Sequence, residues 1–282
     1  MNYNTVILCG SSAEKNIGGR KHEKKIAKIA AFAMAALMAI SAAGCSSTRS
    51  IADIQKNGKL MMSTNAEFEP FEYKDGGEVV GIDIEISQKI ADAIGVELEV
   101  TDIAFDSLIP ALQSGKADIV AAGMTADDER RKNVDFSESY FNASQAIIVT
   151  VDSEIAGPED LEGKTVGVQL GTTGDQYCTN EKGDNEYTVG EVRRYSKGME
   201  AVSDLMAGRI DAVVIDNFPA QKFVENNADA IKVLDTALTE EEYAIAVPKG
   251  STELLDKVNE VIGEMKESGE LDEIVSKYIA AE

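Results

Sequence analysis

Apolar residues along this chain follow two periods. From Asp83 to Ile94, the isoleucines Ile86, Ile90 and Ile94 fall at helical spacing and Gly95 ends the run, which predicts a helix. Lys59–Thr64, Val96–Thr101, Ile119–Ala122 and Thr165–Val168 are short apolar-rich runs of strand length, and Asp75-Gly76-Gly77 reads as a turn. Ser107 is placed to cap a helix running through Gln113, Pro158–Leu161 reads as a short helix, and another helix is expected from Asp175. Two further apolar strands, Gln145–Val151 (QAIIVTV) and Tyr243–Val247 (YAIAV), stand where the chain is expected to cross between lobes and return. At the end, Leu254, Leu255, Val258, Val261, Ile262 and Met265 share one helical face before Gly269 and a second helix.

Two of these stretches nearly repeat each other. Leu112–Val120 reads LQSGKADIV and Leu205–Val213 reads LMAGRIDAV, both following Leu-x-x-Gly-basic-x-Asp-x-Val. Each pattern is a helix end closed by a left-handed glycine and followed by a buried parallel strand. An α/β chain with two similar lobes follows. Lobe one is expected over 57–144 with 243–282 packed back on it, and lobe two over 145–242. What comes after each strand differs in sign: Ala122-Gly123-Met124-Thr125 leads to Arg130, whereas Val214-Ile215 leads to Asp216. Ligands of open α/β sheets bind beyond the carboxyl ends of the strands, so facing lobes with these groups suit a zwitterion such as an amino acid.

Lys21, Lys24, Lys25 and Lys28 precede an unbroken run of apolar or small residues from Ile29 to Ala43, which ends at Gly44-Cys45. That is the pattern of a secretory leader, too short for a stable membrane span. A small residue and glycine before cysteine resembles the bacterial lipoprotein cleavage box, with Ala42 where leucine is preferred, so Cys45 is expected to carry a lipid. Residues 1–44 then form the leader, behind an unpatterned extension of 1–20, and 45–56 a polar tether to the membrane.

The leader holds six of the 27 Lys and Arg and two of the 50 Asp and Glu, so the mature part carries 21 − 48 = −27. Such a surface repels phosphate backbones and excludes nucleic acid as a partner. The single histidine, His22, lies in the leader, which leaves no imidazole for a triad, a general base or zinc ligation. With Cys9 removed and Cys45 lipidated, Cys178 has no partner for an internal disulfide. No cofactor or metal is expected.

Four motifs carry a resemblance: FEPFEY at Phe68–Tyr73, GIDIEI at Gly81–Ile86, FDSLIPALQSGKADIVAAGMTADDERRKNVDFSESY at Phe105–Tyr140, and VGVQLGTTGD at Val166–Asp175. Over about Lys59 to Tyr278 the chain resembles the extracytoplasmic solute-binding proteins of amino-acid ABC importers. The resemblance implies a two-lobe, periplasmic-binding-protein-like type II fold, each lobe a mixed sheet flanked by helices, joined by two hinge strands. It implies that Arg130 grips the ligand's α-carboxylate, with the Thr125 hydroxyl and the amide after Gly123 in the Ala122–Thr125 loop completing the grip. A planar guanidinium fits a carboxylate bidentately. Asp216 is then the partner of the α-ammonium, Phe68 lines the cleft, and Thr172 or Thr173 of the Gly171–Gly174 loop holds the carboxylate from lobe two. Ile82 stands where relatives often have phenylalanine, which opens one wall of the pocket. Asn65 stands where binders of basic amino acids have aspartate, which disfavours a basic ligand. Gln169 ends a strand where it can meet a polar side chain.

The implied function is capture of an extracellular polar L-amino acid, glutamine first and cystine second, by a monomer outside the cytoplasm that delivers it to an ABC permease. Two rivals stand beside it: a secreted enzyme on the same fold, acting on a cyclic acid as a dehydratase with Glu or Lys as base, and the sensing lobe of a signalling system.

Overall fold

The computed structural model describes residues 48–180, 183 and 187–279. The leader, Cys9, His22 and the lipidation expected at Cys45 lie outside them. Two five-stranded mixed sheets of one plan organise the chain. In the first, β1 (Lys59–Thr64) runs parallel between β5 (Glu97–Asp102) and β6 (Ile119–Val120). The antiparallel strands β13 (Glu241–Pro248) and β7 (Val134–Ala143) complete the order β5-β1-β6-β13-β7. In the second, β9 (Thr165–Gln169) runs parallel between β10 (Glu191–Tyr195) and β11 (Ala212–Asp216). The antiparallel strands β8 (Gln145–Thr150) and β12 (Ile231–Val233) complete the order β10-β9-β11-β8-β12. A small antiparallel sheet of β2 (Glu67–Phe68), β3 (Glu72–Asp75) and β4 (Glu78–Val80) precedes the first long helix.

The sequence repeat has a structural meaning. Gly115 and Gly208 take the left-handed backbone, with φ of 71° and 66°. The aspartates that follow each clasp the start of the neighbouring parallel strand. Asp118 N–H donates to the Met61 carbonyl at 2.7 Å, and its carboxylate accepts from Met61 N–H at 2.9 Å. Asp211 does the same at Thr165, at 2.8 and 2.7 Å. This doubly bonded contact sets the register of the central parallel pair in both lobes.

Helices cover both faces of the sheets. Ile86 and Ile90 of α2 (Ile82–Ile94) pack with Leu254, Val258 and Ile262 of α7 (Thr252–Ser268) and Leu271 and Ile274 of α8 (Glu270–Tyr278) on one face of the first sheet. Leu108 and Leu112 of α3 (Leu108–Gln113) cover the other with Val120, Met124 and Phe136. The second sheet is covered by α4 (Thr173–Cys178), α5 (Gly198–Met206) and α6 (Asn217–Glu225). Its strands bury Val166, Val168, Ala212 and Val214 with Cys178, whose thiol burial pushes above its ordinary pKa. Strands buried on both faces read as unbroken apolar runs, which is why VVI and AIIV lack alternation.

Two expectations change. Residues 51–57, expected within a polar tether, form helix α1 (Ile51–Asn57), capped by Ser50 and closed by left-handed Gly58. Ile54 is buried in the first lobe's core, and Arg49 pairs with Asp118 at 2.8 Å, so this segment belongs to the folded body. QAIIVTV and YAIAV, expected to span the gap, are interior strands β8 and β13 of their own sheets, because apolar strands gain most where both faces are covered. The crossings are the short links beside them, around Ser144 and between Thr239 and Glu241. The returning strand β13 begins at Glu241, two residues before the expected boundary, since Glu241 and Glu242 pair with Ala143 and Asn142.

One glycine fixes the turn that carries α2 into place. Gly81 has φ 132°, and a Cβ there would stand 2.2 Å from the Phe71 carbonyl oxygen. Gly81→Ala is expected to destabilise the protein by about 3 kcal/mol or more. Gly76→Ala in the neighbouring turn, where nothing lies within 4 Å, should cost only about 1 kcal/mol. Urea unfolding of both variants checks the contrast.

Candidate functional site

The carboxyl ends of the parallel strands in both lobes converge on one cleft. Its cavity is about 10 Å³, roughly the room of one water. Asn65, Phe68, Glu72, Phe105, Gly123, Arg130, Gln169, Thr172, Thr173 and Asp216 line it. Eight of the residues singled out in the sequence are therefore brought together: Asn65, Phe68, Gly123, Arg130, Gln169, Thr172, Thr173 and Asp216. Ile82 and Ala122 are not among the lining residues. Both side chains are buried in apolar clusters of lobe one. Thr125 lies behind the cleft, where its hydroxyl donates to Glu241 and its carbonyl accepts from Arg130.

Arg130 opens a short 3₁₀ turn (Arg130–Lys132) after the loop that leaves β6, and it is 5% exposed. Its backbone N–H donates to Asp127 Oδ1 at 2.7 Å, Nη1 to the Thr125 carbonyl at 2.8 Å, and Nη2 to the Gly171 carbonyl of lobe two at 3.1 Å. The guanidinium carbon lies 5.4 Å from the Phe105 ring centre, and Nε faces Asp127 at 3.5 Å. Burial lowers its pKa, against the pull of Asp127, Glu241 and Asp216.

Asp216 ends β11 and occupies the N-cap of α6, yet its side chain makes no capping bond. Its Oδ1 accepts the Tyr243 hydroxyl from β13 instead. Burial first, and then the Glu241 charge, push its pKa up to about 7. Thr172 caps α4, accepting from Asp175 N–H at 3.3 Å and donating to the Gln169 carbonyl at 2.8 Å, which leaves the Thr173 hydroxyl with more freedom toward the cleft. Gly123, at φ 49°, donates its N–H to Asp83 at 2.8 Å, and a Cβ on it would stand 2.5 Å from the Phe68 ring.

The lobes touch across the cleft through polar groups. Gln169 Nε2 donates to Asn65 Oδ1 at 2.8 Å, Gln176 Nε2 to Asp127 at 3.2 Å, and Lys197 pairs with Glu67. Asn65 is also tied to the Ile103 carbonyl at 3.0 Å, so both ends of its amide are used.

Sequence reasoning missed Glu72, Phe105 and the acids behind the cleft. Glu72 is fully buried, and neither carboxylate oxygen has a hydrogen-bond partner. Burial, then the charges of Asp83 and Asp216, hold its pKa well above the carboxylate range. Asp83 is raised to about 6 by burial, against the stabilising Gly123 N–H. FEPFEY carries no mark of this: adjacent strand residues face opposite sides, so Glu72 beside a buried Phe71 reads as exposed, and only burial on both faces hides the two together. Among the described residues no group of His, Cys, Asp and Glu is arranged to hold a metal, and no helix is long and apolar enough to cross a membrane.

The model of the bacterial extracellular solute-binding proteins, family 3, matches residues 60–281. The chain belongs to this family. Membership places it outside the cytoplasm, among the amino-acid-binding proteins associated with ABC transporters. The arginine-binding extracellular protein ArtP of Bacillus subtilis (strain 168) is 37% identical over 251 residues, covering 88% of this chain and 96% of that protein. A holo structure of ArgBP from T. maritima aligns with a TM-score of 0.71 and 41% identity over 80% of this chain and 98% of that one. An ancestral arginine-binding protein bound to glutamine aligns with a TM-score of 0.73 and 43% identity over 79% and 99%. The two solved structures share this chain's fold, and each of the three is named as a binding protein.

The buried acids set a pH dependence of the free family member. Their folded-state pKa values are raised, so the stability they contribute is complete below the unfolded aspartate value of 3.8 and is lost as pH rises through about 6 for Asp83 and about 7 for Asp216. The ligand-free protein is therefore expected to melt at lower temperature at pH 8 than at pH 5, with Asp216→Asn flattening the slope. Calorimetric melts across that window check it.

Proposed function

We propose that this protein is the receptor of an ABC importer for a basic L-amino acid, with arginine first. The observation that carries the reading is Glu72: a buried carboxylate without a partner, facing the same cavity as Arg130 and Asp216. Charge accounting decides the ligand class. The α-carboxylate pairs with Arg130 and the α-ammonium with Asp216, which leaves one acid over. A cationic side chain at Glu72 neutralises it, and a buried acid left unpaired costs several kcal/mol.

Glutamine and cystine rank first on the sequence because Asn65 removes an expected counter-charge. Glu72 offers that charge from the same lobe, while the Asn65 amide serves Ile103 and Gln169. The names of ArtP and ArgBP support the same direction, and an ancestral arginine-binding protein bound to glutamine makes glutamine the natural second ligand. A protonated Glu72 can donate to a neutral amide, and an ionised one accepts from guanidinium in a stronger, charge-assisted bond.

An amino acid is far larger than the closed cavity, so it enters lobes held apart. Closure then brings Asp216 and the Gly171–Gly174 loop onto it. Arg130 exchanges the Gly171 carbonyl for the ligand's carboxylate, and expulsion of water strengthens each charged bond. Delivery to the permease follows, from a monomer that a lipid on Cys45 tethers to the membrane; metabolic labelling with a radioactive fatty acid, lost in Cys45→Ala, tests the anchor.

L-Arginine at a hundredfold excess over its dissociation constant should add about 2.7 kcal/mol of stability, raising the melting temperature by about 5–10 °C. Arg130→Ala should abolish the rise for every amino acid. Glu72→Gln should weaken arginine by about 2–5 kcal/mol while changing glutamine far less. A thermal-shift screen of the common amino acids, in which arginine gives no rise, would overturn the reading.

A further inference from the structure

The acids around Glu72 outnumber the charges available to them, and this excess has a chemical consequence. Glu72 opens β3 directly after Phe71, whose carbonyl accepts the Asp83 N–H at 2.9 Å. That bond sets the second residue of α2 beside the Glu72 side chain, and the Gly81 turn leaves α2 no other place to start. Both residues are fully buried. Glu72 has no partner for either oxygen, and Asp83 has one for Oδ2, the Gly123 N–H, and none for Oδ1.

The groups facing the pair come from every element around it. The Gly123 N–H comes from the loop after β6, the Tyr140 hydroxyl from β7 and Asp216 from β11, and Asp216 in turn meets Tyr243 and Glu241 of β13. Arg130 is the cation lining the cleft, and its donors go to Thr125, Gly171 and Asp127. Neither member of the pair thus has a counter-charge. Two adjacent carboxylates in a dry site do not both stay ionised, and two acceptors face each other without a bond until one carries a proton.

We infer that Glu72 and Asp83 share one proton in the free protein, and that a cationic side chain entering the cleft displaces that proton to the solvent, coupling ligand uptake to proton release. The inference rests on the reading of the site as one for a basic amino acid. The balance is simple: the carboxyl O–H of the pair breaks, the proton passes to buffer, and the incoming guanidinium or ammonium takes over its positive charge with no net change inside the cleft. A neutral ligand leaves the proton in place and accepts a hydrogen bond from it.

The coupling makes affinity for a cation rise with pH, roughly tenfold per unit while the pair is protonated when free and ionised when bound. Citrulline has arginine's shape without its charge, so it separates this proton from the one that Asp216 gives up to any α-ammonium. Titration calorimetry of the wild-type protein at neutral pH, in two buffers of different ionisation enthalpy, should give about one more proton released per arginine than per citrulline. Difference infrared spectra should lose one more protonated-carboxyl stretch on adding arginine than on adding citrulline, with glutamine as the neutral reference in both measurements where citrulline binds too weakly. Arginine that binds with the proton count of the neutral reference, or without that further loss of protonated-carboxyl stretch, overturns the coupling and leaves the proposed function standing. Arginine that does not bind while glutamine does overturns the proposed function and the coupling with it.

Discussion

The cleft buries more acid than base. Arg130 already shares its charge with Asp127, and around it lie Glu72, Asp83, Asp216 and Glu241, all buried. Elsewhere the chain pairs its buried acids with cations: Asp118 with Arg49 and Asp175 with Arg194. Only around the cleft, among the described residues, are buried carboxylates left without one. Unpaired buried charge is expensive, and the protein lowers the cost by keeping acids protonated and by aiming Tyr243 and the Gly123 N–H at them. Such a site is relieved by a ligand that brings positive charge in excess of its own carboxylate.

Holding these groups together takes both lobes. The aspartate of each repeat fixes the central parallel pair of its sheet, and the strand that follows it leads to Arg130 in one lobe and ends at Asp216 in the other. Because both sheets follow one plan, the same end of each points into the gap. The antiparallel strand β13 adds Glu241 and Tyr243, so a strand that belongs to lobe one supplies the hydroxyl bound by the acid of lobe two.

Much of this was legible in the chain. The repeat announced two α/β lobes, the helical isoleucines of α2 announced its buried face, and the opposite charges after matching strands marked two residues, Arg130 and Asp216, that the fold brings to one cavity. The segments that went astray are those whose place depends on tertiary contacts. Helix α1 looks polar because one side chain, Ile54, anchors it. QAIIVTV and YAIAV carry no mark of which sheet takes them. Glu72 was hidden for a different reason: a charged residue in a short strand reads as exposed, and only the folded turn at Gly81 puts it under α2.

Closure without a ligand and closure on one compete for the same donors. In the closed cleft Arg130 gives Nη2 to the Gly171 carbonyl, and Gln169 gives its amide to Asn65. These are bonds from a charged or neutral donor to a neutral acceptor. A ligand carboxylate offers Arg130 an anionic acceptor in two-pronged geometry, about twice as strong as a neutral bond. The net affinity is therefore a difference, the ligand's charge-assisted bonds less the lobe-to-lobe bonds they replace. That difference favours molecules with both charges of an amino acid, because a simple amine leaves Arg130 with its backbone carbonyl and a simple acid leaves Asp216 with its tyrosine. On the proposed reading, selectivity arises from what the empty cleft already satisfies by itself, and the acid it leaves unsatisfied, Glu72, is where a third charge gains most.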